Sequence, residues 1–315
     1  MGKIPGFTLT ENGAITTSGA FKKYEYDYDD YENQDNSGEE IIKEIINDEE
    51  LPNLTEIVIG CWGEAMDSEE IQVIIDGIVE SQNKGEGKFS HIKSIFFGDM
   101  TYEDCEVSWI VQGDYSKFWA AMPNLLKFGV RGSQELEFGE IKHEKLREFD
   151  IICGGLGADV IESVKDAKLP ALERLTLYIG SEDYGFDGDI EDIKKLLDES
   201  DFPNLKHLGL EDSEIQDEIT EAVFNSKYIS QLESLSLANG TLTDKGGQII
   251  FNKLKSYPNI KELDLHYNYL SEDMCEKLEE LAKECSIKIN VSDSRWDEEE
   301  EEDDDEVWHY PMLTE

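Results

Sequence analysis

Residues 97–114 read FGDMTYEDCEVSWIVQGD and place three Asp, two Glu, a Cys and a Trp within eighteen positions. Carboxylates packed this closely suit metal ligation or general acid–base work, and a cysteine among them suits nucleophilic attack. Each chemistry needs more than residue type. A catalytic carboxylate pair needs one member whose pKa is raised, usually by burial. A nucleophilic thiol needs a base, and no His lies near Cys105 in sequence. The five His (91, 143, 207, 266 and 309) form no H-x-E or H-E-x-x-H spacing, and there is no Walker loop, G-x-G-x-x-G or G-x-S-x-G. Asp183, Asp187 and Asp189 could offer Ca²⁺ a weak site, yet their loop does not follow the EF-hand spacing. No catalytic residue, metal site or cofactor is expected, and the chain reads as a non-enzyme.

Composition narrows the partners. The 315 residues carry 28 Lys+Arg against 73 Asp+Glu, a formal net charge of −45. Such a chain repels nucleic-acid phosphates and anionic lipid surfaces, so neither partner is expected. Mimicry of nucleic acid by surface acid would require partners that bind DNA. Apolar content of 39% suffices for a large core. Five cysteines without a C-x-x-C pair fit neither a disulfide framework nor a zinc knuckle. With no apolar leader at the start and no run of 18 apolar residues, a reduced, cytoplasmic protein is expected.

The elements that must position residues 97–114 come from a repeat. LPNLTEIVIG (51–60) recurs as MPNLLKFGVRG, LPALERLTLYIG, FPNLKHLGLEDS and YPNIKELDLHYN, with weaker copies FSHIKSIFFGD, HEKLREFDIICGG and ISQLESLSLANG. All eight fit L-x-x-L-x-L, with the first apolar position at Leu54, Ile92, Leu125, Leu146, Leu172, Leu205, Leu232 and Ile260. IKINV (287–291) adds a ninth strand without the full frame. Each x-L-x-L core predicts a short strand. DIEDIKKLLDES, DKGGQIIFNKLKS and SEDMCEKLEELAKEC after such cores predict helices, the last capped by Ser271.

Strand and helix alternating at about 26–28 residues is the pattern of an α/β leucine-rich-repeat solenoid, a horseshoe with a parallel sheet on its concave face and helices on its convex side. Asn268 stands where a ladder asparagine would bond backbone groups between turns, while Ser213 and Gly240 replace it elsewhere. The organisation expected is a polar, acidic N-terminal arm (1–38), loosely held; a solenoid (39–291) opened by a cap helix presenting Ile41, Ile42, Ile45 and Ile46; and an acidic tail (292–315). Within the tail, the ten acids of 297–306 should stay extended and solvated, and VWHYPMLTE is apolar enough to dock back on the solenoid.

Outward strand positions would line the concave face, and they carry seven basic and eight acidic residues, near neutrality in a strongly acidic chain. Either these charges pair across adjacent strands or they form a binding surface. The concave candidates are Phe96, Arg131, Asp150, Tyr178, His207, Glu211 and His266. Three segments leaving strand ends, 60–70, 98–114 and 180–192, should project from one rim, where Trp62, Glu64, Asp99, Tyr102, Glu103, Glu106, Trp109 and Tyr184 are candidates. Val107, Trp109 and Val111 alternate with Glu106, Ser108 and Ile110, which predicts a short extra strand along the rim with Trp109 packed down on the solenoid edge.

The motifs IVIGCWGE, FFGDMTYEDCEVSWIVQGD, LYIGSEDYG, LANGTLTDKGG and the ending WHYPMLTE resemble an uncharacterised bacterial family of cytoplasmic leucine-rich-repeat proteins, with repeats of the ribonuclease-inhibitor-like type. The positions matching its W-G-E and G-D-x-T-Y-E-x-C-E-x-S-W-I motifs are Trp62, Gly63, Glu64, Gly98, Asp99, Glu103, Cys105, Glu106, Ser108 and Trp109. The resemblance implies a solenoid with an accessory or recognition role in a modification or biosynthetic pathway, its relatives being encoded near radical-SAM and ATP-grasp proteins. A non-enzymatic module binding a protein or peptide is therefore expected. The alternative is a small-ligand or divalent-cation site among the rim loops, supporting a partner enzyme.

Overall fold

The computed structural model describes residues 8–9, 15–16, 20–26, 37–296 and 309–313. Ten strands form one sheet in which each pairs in parallel with its neighbours in sequence: β3 (Phe21–Tyr24), β4 (Glu56–Ile59), β5 (Ser94–Phe97), β6 (Lys127–Arg131), β7 (Glu148–Ile152), β8 (Arg174–Gly180), β9 (His207–Ser213), β10 (Ser234–Ser236), β11 (Glu262–Asp264) and β12 (Lys288–Asn290). Two short strands, β1 (Thr8–Leu9) and β2 (Ile15–Thr16), pair antiparallel outside this sheet. The helices are α1 (Ser37–Asn47), α2 (Ser68–Ser81), α3 (Phe118–Ala121), α4 (Ala158–Lys165), α5 (Ile190–Glu199), α6 (Gln216–Asn225), α7 (Asp244–Lys253) and α8 (Glu272–Cys285). Successive helices pack on one another from α1 to α3 and again from α4 to α8. This is an α/β leucine-rich-repeat solenoid.

The repeat frame explains the core. All eight first apolar positions are buried, and the strand register then stacks Ile57, Ile95, Phe128, Phe149, Leu175, Leu208, Leu235 and Leu263 into one column. No repeat can bury its apolar strip alone, and stacking makes the strips continuous. Between β6 and β7 no helix covers the convex side. Aromatic rings fill that gap: Trp119 sits 4.8 Å from Phe128, Phe138 5.3 Å from Phe149, and the Trp119 indole N–H donates to the Phe138 carbonyl at 2.9 Å. Large edge-to-face rings supply the apolar volume a helix would have brought.

Asn268 acts as the ladder residue. Its side-chain amide donates to the Leu237 and Leu265 carbonyls at 2.9 and 3.0 Å and accepts the Leu242 N–H at 2.9 Å. Where Gly240 replaces the asparagine, the space is taken by Gln216, whose amide donates to the Leu210 carbonyl. After β11, Ser271 caps α8 by accepting the Met274 N–H.

Residues 20–26 differ from the loosely held arm expected there. Phe21–Tyr24 extend the sheet, because pairing with β4 satisfies the backbone and charges hold the polar side chains. Lys22 reaches Asp48 at 2.7 Å, and the Tyr24 hydroxyl donates to the same carboxylate at 2.8 Å. Helix α1, with Ile41, Ile42 and Ile45 buried, therefore connects two strands instead of ending the stack. Residues 27–36 and the acidic run 297–306 lie outside the described residues.

Candidate functional site

The outward row of the sheet runs Val58, Phe96, Gly129, Asp150, Thr176, Gly209, Ser236, Asp264 and Asn290 in register. Its centre is made of small residues, so it forms a trough with larger side chains on either side. The structure brings all seven concave candidates to this side. Charges pair laterally along it: Lys127 lies 2.9 Å from Glu148 and 3.3 Å from Asp150, and the Arg174 guanidinium lies 3.6 Å from Asp150. Burial pushes the Asp150 carboxyl up, but Lys127 and Arg174 outweigh it and hold it below the usual range.

Arg174, His207, Glu211, Ser236, Asp264 and Asn290 bound a cavity of about 230 Å³ in the trough. Nδ1 of His207 meets the Ser234 hydroxyl at 2.9 Å, while its Nε2 is shut away from water with no hydrogen-bond partner. Burial, helped by Arg174, drives the His207 pKa down to about 3, so the ring is neutral. Burial raises Glu211. His266 is raised by its 2.8 Å contact with Asp264. Arg131 donates through Nη1 to the Met100 carbonyl, which ties the concave face to the 98–114 loop.

The C-terminal segment docks on this face. The Met312 N–H donates to the Asn239 carbonyl at 2.8 Å, and the Leu313 N–H donates to Asp212 Oδ1 at 2.7 Å. Leu313 packs on an apolar cluster of Phe96, Ile152 and Tyr178. Upstream, His309 stacks on Tyr269 with ring centres 4.0 Å apart, and Arg295 donates to the Tyr310 carbonyl at 2.7 Å. Asp212, Asn239 and Tyr267 adopt positive φ at the same place in three successive repeats, where each strand turns outward, and Gly132 does so three repeats before Asp212. Short polar Asp and Asn tolerate that conformation and keep an acceptor there. Sequence reasoning missed Asp212, Asn239 and Tyr269; aligning LEDS and LANG on VRGS would have exposed the first two.

The rim is only partly assembled as expected. Trp109 and Tyr184 share a cavity of about 510 Å³ with Ser108, Gln134, Glu135, Asp159 and Gly185. Trp109 is 53% exposed, so it does not pack down on the solenoid edge. The short extra strand is absent: Val107–Trp109 form a 3-10 turn, followed by isolated bridges from Val111 to Gln134 and from Asp114 to Glu137. The turn points Trp109 outward because Val107 and Ile110 take the buried positions. Trp62 is fully buried in the main core and is not a rim residue, since the W-G-E turn folds inward under Ser37, whose hydroxyl donates to the Trp62 carbonyl.

Asp99 is also buried and lies 3.3 Å from Lys23, an ion pair to the first strand of the sheet. Glu64, Tyr102 and Glu103 are exposed and Glu106 is half-buried, and none of the four lines the Trp109 cavity. Burial raises the Cys105 thiol to about 11, which leaves it a poor nucleophile at neutral pH. Asp187 accepts the Ala158 N–H, and Asp189 caps α5 by accepting from Glu191, so two of the three acids considered for Ca²⁺ serve the backbone. Among the described residues, no group of three or more His, Cys, Asp or Glu is placed to hold a metal. No helix among them is long and apolar enough to cross a membrane.

No family model matches the chain, and no curated protein matches it. A leucine-rich-repeat protein from Leptospira interrogans covers 85% of this chain and 69% of its own at 13% identity, with a TM-score of 0.29 that is too low to carry an argument. A Bacteroides fragilis protein of known crystal structure is 39% identical, superposes with a TM-score of 0.79, and is matched over 87% of this chain and 74% of its own. At that identity and coverage, the chain belongs to the family of this Bacteroides fragilis protein.

Proposed function

We propose that the protein is a non-enzymatic recognition module that binds an extended protein or peptide segment across its concave face, acting as an accessory to a partner. One observation carries this reading: the face already receives a stretch of polypeptide, with backbone N–H groups taken by Asn239 and Asp212 and an apolar side chain on Phe96, Ile152 and Tyr178. The trough of small residues leaves room for main chain, and flanking polar groups on the cavity wall, such as the partly exposed Arg174, can read side chains. A photo-crosslinking residue placed at Thr176 or Ser236 should join a protein partner in cells, and the same residue at Glu221 on α6 should not. Equal labelling from both faces, or none from the trough, sinks the proposal.

A second reading has its own support. The rim cavity sets the exposed Trp109 and half-buried Tyr184 beside Glu135, Glu137, Asp159 and Asp183, with no basic residue in its lining. Aromatic faces with carboxylates favour an organic cation over an anion. Binding of a small amine that is lost in Trp109→Ala, with no partner protein present, would favour this site.

A further inference from the structure

The docked segment is matched to the edge it crosses. It runs over the exits of β11, β10 and β9 in turn, touching Tyr269, Asn239 and Asp212. With a bend at Met312, the contacts from Tyr310 to Leu313 step from one repeat to the next. The N–H groups of Tyr310, Met312 and Leu313 each find an acceptor: the Tyr269 hydroxyl, the Asn239 carbonyl and the Asp212 carboxylate. The residue between them with no N–H to satisfy is Pro311, and it is buried. Tyr310 and Met312 remain half exposed, so the segment is anchored by its backbone, His309, Pro311 and Leu313.

From this match we infer that residues 309–313 are a tethered occupant of the recognition groove, competing in cis with a partner segment of the same chemistry: a stretch with proline followed two residues later by a leucine-like side chain. The inference rests on the peptide-recognition reading above. Because residues 309–313 belong to the same chain, their docking is intramolecular, and an outside peptide must overcome the effective concentration this gives. The closed form holds the groove shut to weak or poorly matched segments and yields to one that fits better.

The test uses the full chain and a fluorescent peptide of residues 307–315, VWHYPMLTE, titrated by anisotropy. Leu313→Asp places a charge on the apolar cluster and releases the tether. This variant should bind the peptide at least ~10-fold more tightly than the wild type. Equal affinities overturn the competition and leave peptide recognition standing, whereas no binding to either protein overturns both. Should Leu313→Asp fail to fold, hydrogen exchange in the wild type decides instead. The Met312 and Leu313 amides should exchange slowly alone and faster with excess peptide, and exchange unaffected by peptide overturns the proposal.

Discussion

Leu313 donates its N–H at 2.7 Å to the carboxylate of Asp212, a residue 101 positions earlier that is itself buried and in the left-handed conformation. Burial lifts the Asp212 carboxyl well above its usual range, with the Leu313 and Met312 N–H groups opposing that shift. The native state therefore holds this proton to higher pH than the unfolded chain does. Between pH 3.8 and the raised native value, this group makes stability fall as pH rises. Asp212→Asn keeps an acceptor and the left-handed backbone while removing the ionisation. Its stability relative to wild type should rise as pH climbs above 4, while Asp212→Ala, which loses the acceptor as well as the ionisation, should follow the same trend about 1–2 kcal/mol below Asp212→Asn. Urea denaturation from pH 4 to 8 checks both; a constant offset for Asp212→Asn would contradict the buried-carboxyl account.

Two concave histidines should pull stability in opposite directions. His207 is neutral in the fold and takes up a proton only near pH 3, so the unfolded chain binds more protons below pH 6.5 and stability falls on acidification, by at most ~1.4 kcal/mol per pH unit. His266 is raised by Asp264, so its contribution is present below pH 6.5 and is lost as pH rises through its native value. Relative to wild type, His207→Asn should gain stability on going from pH 7 to pH 5, and His266→Asn should lose it. Thermal melts of both variants at the two pH values measure the signs directly.

The repeat made eight of the ten sheet strands legible, because each x-L-x-L core turns alternate apolar side chains toward the main core, and IKINV gave a ninth without the full frame. The tenth, Phe21–Tyr24, escaped because its stability lies in partners distant in sequence: Lys22 with Asp48, Lys23 with Asp99, and backbone pairing to β4. The concave candidates were readable for the reason that the strands were, since outward positions follow from the frame. The rim was not, because loop conformation decides whether a Trp faces core or solvent. Trp62 and Trp109 sit in comparably acidic, Gly-containing stretches, and only the tertiary turn sends one in and the other out. Asp212 and Asn239 fall outside the L-x-x-L-x-L frame and are not among its candidates; their left-handed backbone and the docked segment give them a shared role.

Asn268 joins two repeats through three hydrogen bonds, all buried. Replacing it with Ala strands two carbonyls and one N–H away from water, at about 1 kcal/mol or more for each unmade bond. Asn268→Ala should lose roughly 2–4 kcal/mol in chemical denaturation. In contrast, Asn252→Ala on the exposed side of α7 should change stability by less than ~0.5 kcal/mol. A loss of that small size at Asn268 would mean that water replaces the ladder.

Gly180 marks where two loops meet beneath the rim cavity. Its φ is +75°, and a Cβ there would fall 1.8 Å from the Gly154 carbonyl oxygen. Both the backbone conformation and the space exclude a side chain. Gly180→Ala should cost ~3 kcal/mol or more. Gly87→Ala, also at positive φ but facing only the Ser90 hydroxyl at 3.0 Å, should cost ~1 kcal/mol. Because Gly155 and Gly185 line the cavity, the first variant should also alter Trp109 fluorescence, and the second should not.

The two tryptophans of the rim motifs give the sharpest contrast between structural and functional residues. Trp62 is wholly buried in the main core, so Trp62→Ala leaves a cavity and should cost about 3–5 kcal/mol. Trp109 is 53% exposed at the wall of the rim cavity, and Trp109→Ala should stay within ~1 kcal/mol of wild type. Thermal denaturation separates the two outcomes. A large loss at Trp109 would make that residue structural and remove the main support for a rim site. With stability intact, loss of small-amine binding in Trp109→Ala would leave the aromatic face as the feature that ligands read, and retention of binding would place the ligand elsewhere on the protein.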